Sequence, residues 1–79
     1  MERVKKPKLV ITFPTTTAAM AMEALCDSAL GRLIPVPGEI RAGCGLAWCA
    51  EPALESMLLQ LMKENSISFE EKRIIQLYV

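Results

Sequence analysis

A chain of 79 residues with nine basic and nine acidic side chains is expected to form one domain over residues 1–79. A chain this short buries only about 60% of its unfolded surface, so a surface site is favoured over a deep cavity. Zero net charge supplies no general attraction to nucleic acid or an anionic membrane. The absence of histidine removes Ser-His-Asp triads, Cys-His dyads and His-ligated catalytic zinc.

Three cysteines, Cys26, Cys44 and Cys49, make an odd number without a disulfide-scaffold composition, which reads as reduced thiols in a cytoplasmic protein. The basic run Arg3, Lys5, Lys6 and Lys8 reads as a solvated lead-in to a first strand. It is not the start of an export signal, because Leu9 to Phe13 is only five residues long before Pro14 and three threonines interrupt it, short of the ~7–15 apolar residues such a signal needs. No segment approaches the ~18 apolar residues of a membrane span.

In chain order, Lys8 to Phe13 alternates, with Leu9, Ile11 and Phe13 on one face and Lys8, Val10 and Thr12 on the other, the pattern of a half-buried strand. Thr15, Thr16 and Thr17 offer hydroxyl N-caps to a helix running to about Leu30, with Gly31 as terminator and Met22, Cys26 and Ala29 on its buried face, Leu25 beside them. Arg32 to Val36 is β-like, and Pro35, which cannot donate to a ladder, places it on a sheet edge. Pro37 and Gly38 end it, a loop follows over Glu39 to Gly43, and Leu46 to Ala50 is uninterruptedly apolar, as suits a central strand. Pro52 fits a first helical position, and Leu54, Met57, Leu58 and Leu61 repeat at helical spacing up to Asn65. A last strand follows over Arg73 to Val79. The order β-α-β-β-α-β predicts an α+β, ferredoxin-like fold with two helices on one face of a four-stranded antiparallel sheet.

In that topology the loop between strands two and three lies at the same end of the sheet as the start of the first helix. Cys44 is therefore expected to face Thr15, Thr16 and Thr17, where a helix N-terminus favours a thiolate. Gly43 and Gly45 flank it without a Cβ, and Arg41 adds a positive charge. The alternative is that Gly-Cys-Gly is only a tight start to a strand, with a small apolar residue in its middle. Cys26 and Cys49 read as core residues, with a resolving partner for Cys44 as the alternative role of Cys49. Cys49 lies about 16 Å along an extended chain from Cys44, too far for a disulfide unless the loop folds back. Cys-x4-Cys without histidine matches no standard metal spacing, so no metal is expected. Met20, Met22, Met57 and Met62 are explained by packing.

Phe13-Pro14-Thr15-Thr16-Thr17, Ala21-Met22-Glu23, Ile34-Pro35-Val36-Pro37 and Ala42-Gly43-Cys44-Gly45-Leu46-Ala47 together resemble the selenium/sulfur carrier-like family of small bacterial domains. Some relatives are fused to a TusA-like sulfur-carrier domain. The resemblance covers nearly the whole chain, and Pro-Val-Pro with the downstream Gly-Cys-Gly is its most specific part. It implies that Cys44 accepts sulfur or selenium as a persulfide or perselenide, with Pro37, Arg41, Gly43, Gly45 and the three threonines around it. It also implies donor and acceptor proteins such as a cysteine desulfurase, no cofactor, and a carrier rather than a turnover enzyme. Gly38 departs from the family, which often carries arginine after Pro-Val-Pro; Arg41 or Arg32 would then supply that charge. The competing reading is a non-catalytic interaction or ligand-sensing module with a structural Cys44. A metal chaperone would need a close cysteine pair that this loop lacks. The oligomeric state is open, with a homodimer among the expectations.

Overall fold

The computed structural model describes residues 4–38, 40 and 44–78. Its elements are β1 (Lys5–Thr12), α1 (Thr16–Leu25), β2 (Arg32–Pro35), β3 (Leu46–Ala50), α2 (Glu55–Glu64) and β4 (Glu71–Tyr78), with short 3₁₀ turns at Ser28–Leu30 and Pro52–Leu54. The four strands form one sheet in the order β2-β3-β1-β4, and every pairing is antiparallel. Pro35 therefore sits on an edge strand, as its missing N–H requires, and β3 lies inside the sheet.

Both helices cover the same face. Met22 and Ala19 of α1 and Leu58 and Met62 of α2 share one buried cluster with Leu9, Ile11 and Phe13 and with Trp48 and Ala50 of β3. Trp48, the largest fully buried side chain, donates its indole Nε1–H to the Leu30 carbonyl at 3.1 Å. This bond ties the segment after α1 to the middle of the sheet and satisfies the one polar group of the ring.

The alternation in β1 predicts a half-buried strand, but Leu9, Val10, Ile11 and Thr12 are all buried. The face away from the helices carries a second, smaller cluster of Val10, Ala47 and Ile40, flanked by Ile34, Val36, Ile75 and Leu77. Ile40, from the β2–β3 loop, covers Val10 there, and the Thr12 hydroxyl donates to the Glu71 carbonyl at 3.3 Å. The strand is also longer than the apolar pattern, because Lys5 to Lys8 pair with Tyr78 to Ile75 of β4 and strand pairing needs no apolar side chains. Likewise β4 begins at Glu71, opposite Thr12.

The first helix ends earlier than Leu30. Thr15, in extended conformation, caps it by accepting from the Ala18 N–H at 3.1 Å, as expected of a threonine there. At the far end Cys26 turns extended (φ −108°, ψ 138°), and the Asp27 carboxylate accepts the Ala29 N–H at 2.9 Å, starting the 3₁₀ turn. Asp and Ser compete with helix by bonding their own backbone, which breaks the helix here. Ala29 and Leu25 are accordingly exposed while Met22 and Cys26 are buried. In α2 the buried stripe runs through Leu58 and Met62, and Met57 points to solvent at 42% exposure. Met20 is exposed as well, so packing explains Met22 and Met62 but not these two.

Gly31 adopts φ +130°, and a Cβ there would lie 2.4 Å from the Cys49 carbonyl and 2.6 Å from Trp48 Nε1. Gly38 has open space around it. Gly31→Ala is expected to lower the unfolding free energy by about 2 kcal/mol or more, and Gly38→Ala to change it by less than about 0.5 kcal/mol; urea titration of both variants checks the contrast.

Candidate functional site

The β3 register fixes where Cys44 lies. Leu46 pairs with Pro35 of β2, Ala47 pairs with Thr12 at the end of β1, and α1 begins four residues after Thr12. Cys44, two residues before β3, is thus at the end of the sheet where α1 starts, as the topology predicts. It is half-buried and packs against the helix-side cluster together with Leu33, Leu46 and Ala18.

The nearest polar partner of its sulfur is backbone rather than a threonine. The Leu46 N–H donates to Cys44 Sγ at 3.4 Å and the thiol donates to the Leu46 carbonyl at 3.4 Å. Gly45, between them, has φ +76° with no atom within 4 Å of an added Cβ. This left-handed conformation is one that glycine adopts without steric penalty. Thr15 spends its hydroxyl on the helix cap, and Thr15 and Thr17 line an open groove of about 340 Å³ with Pro14, Ala18, Ala21 and residues 65–68. Among the described residues no hydrogen bond joins Cys44 to Thr15, Thr16 or Thr17. Pro37 lies in the turn after β2, where its carbonyl accepts the Ile40 N–H at 3.0 Å. Arg41 and Gly43 lie outside the described residues.

The other two thiols occupy different places. Cys26 is buried in the helix-side cluster, and burial, aided by the nearby Asp27 charge, pushes its thiol above the ordinary value of 9.0. Cys49 pairs with Val10 and Arg32. Alternation along β3 puts it on the sheet face opposite Trp48 and Ala50. Burial pushes this thiol up too; Arg32 and Lys8 pull the other way without reversing the shift, and Glu51 adds to it. Lys8 also pairs with Glu51. Cys44 and Cys49 are therefore on opposite sides of the sheet, Cys44 packing with the helices, and Cys49 is not placed as a resolving partner. Among the described residues no cluster of three cysteine or acidic side chains is arranged to hold a metal, and no helix is long and apolar enough to cross a membrane.

The cross-strand position of Arg32 beside Cys49 was not marked by the sequence pattern. It follows from the β2–β3 register, for which local spacing gives no signal.

Two measurements follow from these placements. Iodoacetamide applied to the folded protein should label Cys44 first, with Cys26 and Cys49 labelled at least about tenfold more slowly, as read by peptide mass spectrometry. Stability should also depend on alkaline pH. A thiol whose folded pKa is raised holds its proton more tightly in the folded state, so its contribution is complete below the unfolded-chain value near 9 and is lost as pH rises through the folded value. The unfolding free energy should therefore fall above about pH 9, with a shallower fall in a Cys26→Ala, Cys49→Ala variant.

Residues 8–72 match a family's sequence profile. No curated protein and no solved structure shows significant similarity to the chain. With most of its length covered by that profile, the chain belongs to the family described as "Putative Se/S carrier protein-like".

Proposed function

We propose that this protein is a sulfur or selenium carrier whose attachment point is Cys44. The observation that carries the reading is accessibility. Cys44 is half-buried on a turn whereas Cys26 and Cys49 are buried, and a carrier thiol has to meet its partners. The open space beside Gly45 leaves room for a donor's cysteine to approach. The order β2-β3-β1-β4 with both helices on one face supports a ferredoxin-like arrangement, folded as one domain over residues 1–79. Pro37, Arg41 and Gly43 are assigned to the site from sequence, and Thr15, Thr16 and Thr17 are assigned to the neighbouring end of α1.

The transfer is a thiol–persulfide exchange. The Cys44 thiolate attacks the terminal sulfur of a donor persulfide; the new Sγ–S bond forms as the donor S–S bond breaks, and the donor cysteine leaves as its thiolate. The proton on the terminal sulfur travels with it, and the exchange involves no net oxidation or reduction. Repeating the step with an acceptor thiolate discharges the carrier. A cysteine desulfurase fits as donor, an acceptor protein takes the cargo onward, and the cytoplasm is the compartment that keeps such a thiol reduced.

A second reading rests on the Leu46 bonds. A sulfur that accepts and donates to backbone and packs on the core also works as a turn cap, leaving the domain as an interaction module. Intact-mass spectrometry after incubation with a cysteine desulfurase and free cysteine separates the two. Gain of one sulfur by wild type and by Cys26→Ala, but not by Cys44→Ala, is expected of the carrier. No adduct on wild type would leave Cys44 structural.

A further inference from the structure

Val36 donates its N–H to the Gly45 carbonyl at 3.1 Å, so these two residues form a hydrogen-bonded pair continuing the β2–β3 ladder. Backbone groups alternate in direction along an antiparallel strand. Leu46 therefore turns its N–H and C=O away from β2 and toward the β1 side of the sheet. The β1–β3 ladder stops there at Thr12 opposite Ala47. Leu46 presents both backbone groups one residue beyond the end of that ladder, and Cys44 Sγ takes both, each at 3.4 Å. The chain closes on itself over so short a span because Gly45 holds φ +76°.

We infer that Gly45 is a positioning residue for the Cys44 sulfur, and that the Leu46 amide is the group that holds it during transfer. This rests on the reading of Cys44 as the carrying thiol. Once the sulfur is deprotonated for attack, the Leu46 N–H bond becomes charge-assisted and strengthens, while the Leu46 carbonyl no longer has a proton to accept. The sulfur is then held from the amide side, and its remaining lone pairs are left for the incoming terminal sulfur. Gly45 acts through this geometry, by holding the turn that brings the sulfur to the Leu46 amide.

Because nothing crowds a Cβ at position 45, Gly45→Ala alters the backbone preference without a collision. Asparagine tolerates the left-handed region better than alanine, so Gly45→Asn is the conservative rescue. Leu46→Pro deletes the amide proton directly, at the first residue of a strand where proline is tolerated. The test is the rate of Cys44 alkylation by iodoacetamide at one fixed pH, resolved by peptide mass spectrometry. Gly45→Ala and Leu46→Pro are expected to slow it about fivefold or more, with Gly45→Asn within about twofold of wild type. Loss of fold is recognised separately, since unfolding speeds labelling of Cys26 and Cys49 whereas lost positioning slows Cys44 alone; if Gly45→Ala unfolds, Leu46→Pro and Gly45→Asn carry the comparison. Wild-type rates in the folded Gly45→Ala or Leu46→Pro protein, or no rescue by asparagine, overturn the inference. Alkylation needs no sulfur donor, so a wild type that takes up no sulfur would sink the carrier reading and leave this result standing.

Discussion

The double pairing of β3 is the constraint on which the other parts depend. Held by β1 on one side and β2 on the other, Ala47–Ala50 has its backbone groups engaged across the sheet. Its side chains are divided between the two faces, Trp48 and Ala50 toward the helices and Ala47 and Cys49 away from them. A slip of one residue would exchange those sets and carry the indole out of the core. The register is secured by Trp48 itself, whose Nε1–H reaches the Leu30 carbonyl, and by Gly31, the residue whose lack of a Cβ lets the chain cross close to Trp48 and the Cys49 carbonyl. The same register carries the start of β3, and with it Cys44, to the end of the sheet where α1 begins.

The three thiols show how one fold assigns different chemistry to one residue type. Cys26 lies in the helix-side cluster and Cys49 on the opposite face, paired across the strands with Arg32, and burial pushes both thiols above their ordinary value. Cys44 lies outside the strands, in a turn that leaves it partly open. For a carrier this division is useful. A cargo sulfur is placed on one thiol only when its neighbours are withheld from exchange, and burial withholds them more dependably than distance does in a domain this small.

Much of the fold could be read from the chain. The Pro35 edge, the central position of Leu46–Ala50, the Thr15 cap and the two helices each follow from a local rule about hydrogen-bond donors, apolar runs or capping side chains. The departures arise where pairing or coverage came from far along the chain. Lys5 to Pro7 look like a solvated lead-in; they stay exposed but are recruited into β1 by pairing with β4. Val10 and Thr12 look outward and are buried, Val10 because Ile40 folds over it. The first helix stops at Leu25, since Asp27 and Ser28 start a separate turn that brings Leu30 to Trp48. Cys44 was legible as a candidate from Gly-Cys-Gly. That Leu46, rather than a threonine, would meet its sulfur was not, because it depends on where the β1–β3 ladder ends.

By itself the sequence determined the α+β character, the exclusion of histidine chemistry, the family and Cys44 as the candidate thiol, because these depend on residue type and on patterns within a few positions. Tertiary structure alone decided the strand register, the separation of Cys44 from Cys49 across the sheet, the second apolar cluster and the backbone groups that hold the Cys44 sulfur. Each of these joins residues distant in the chain or depends on where a ladder stops, and such placements are set by packing the whole domain.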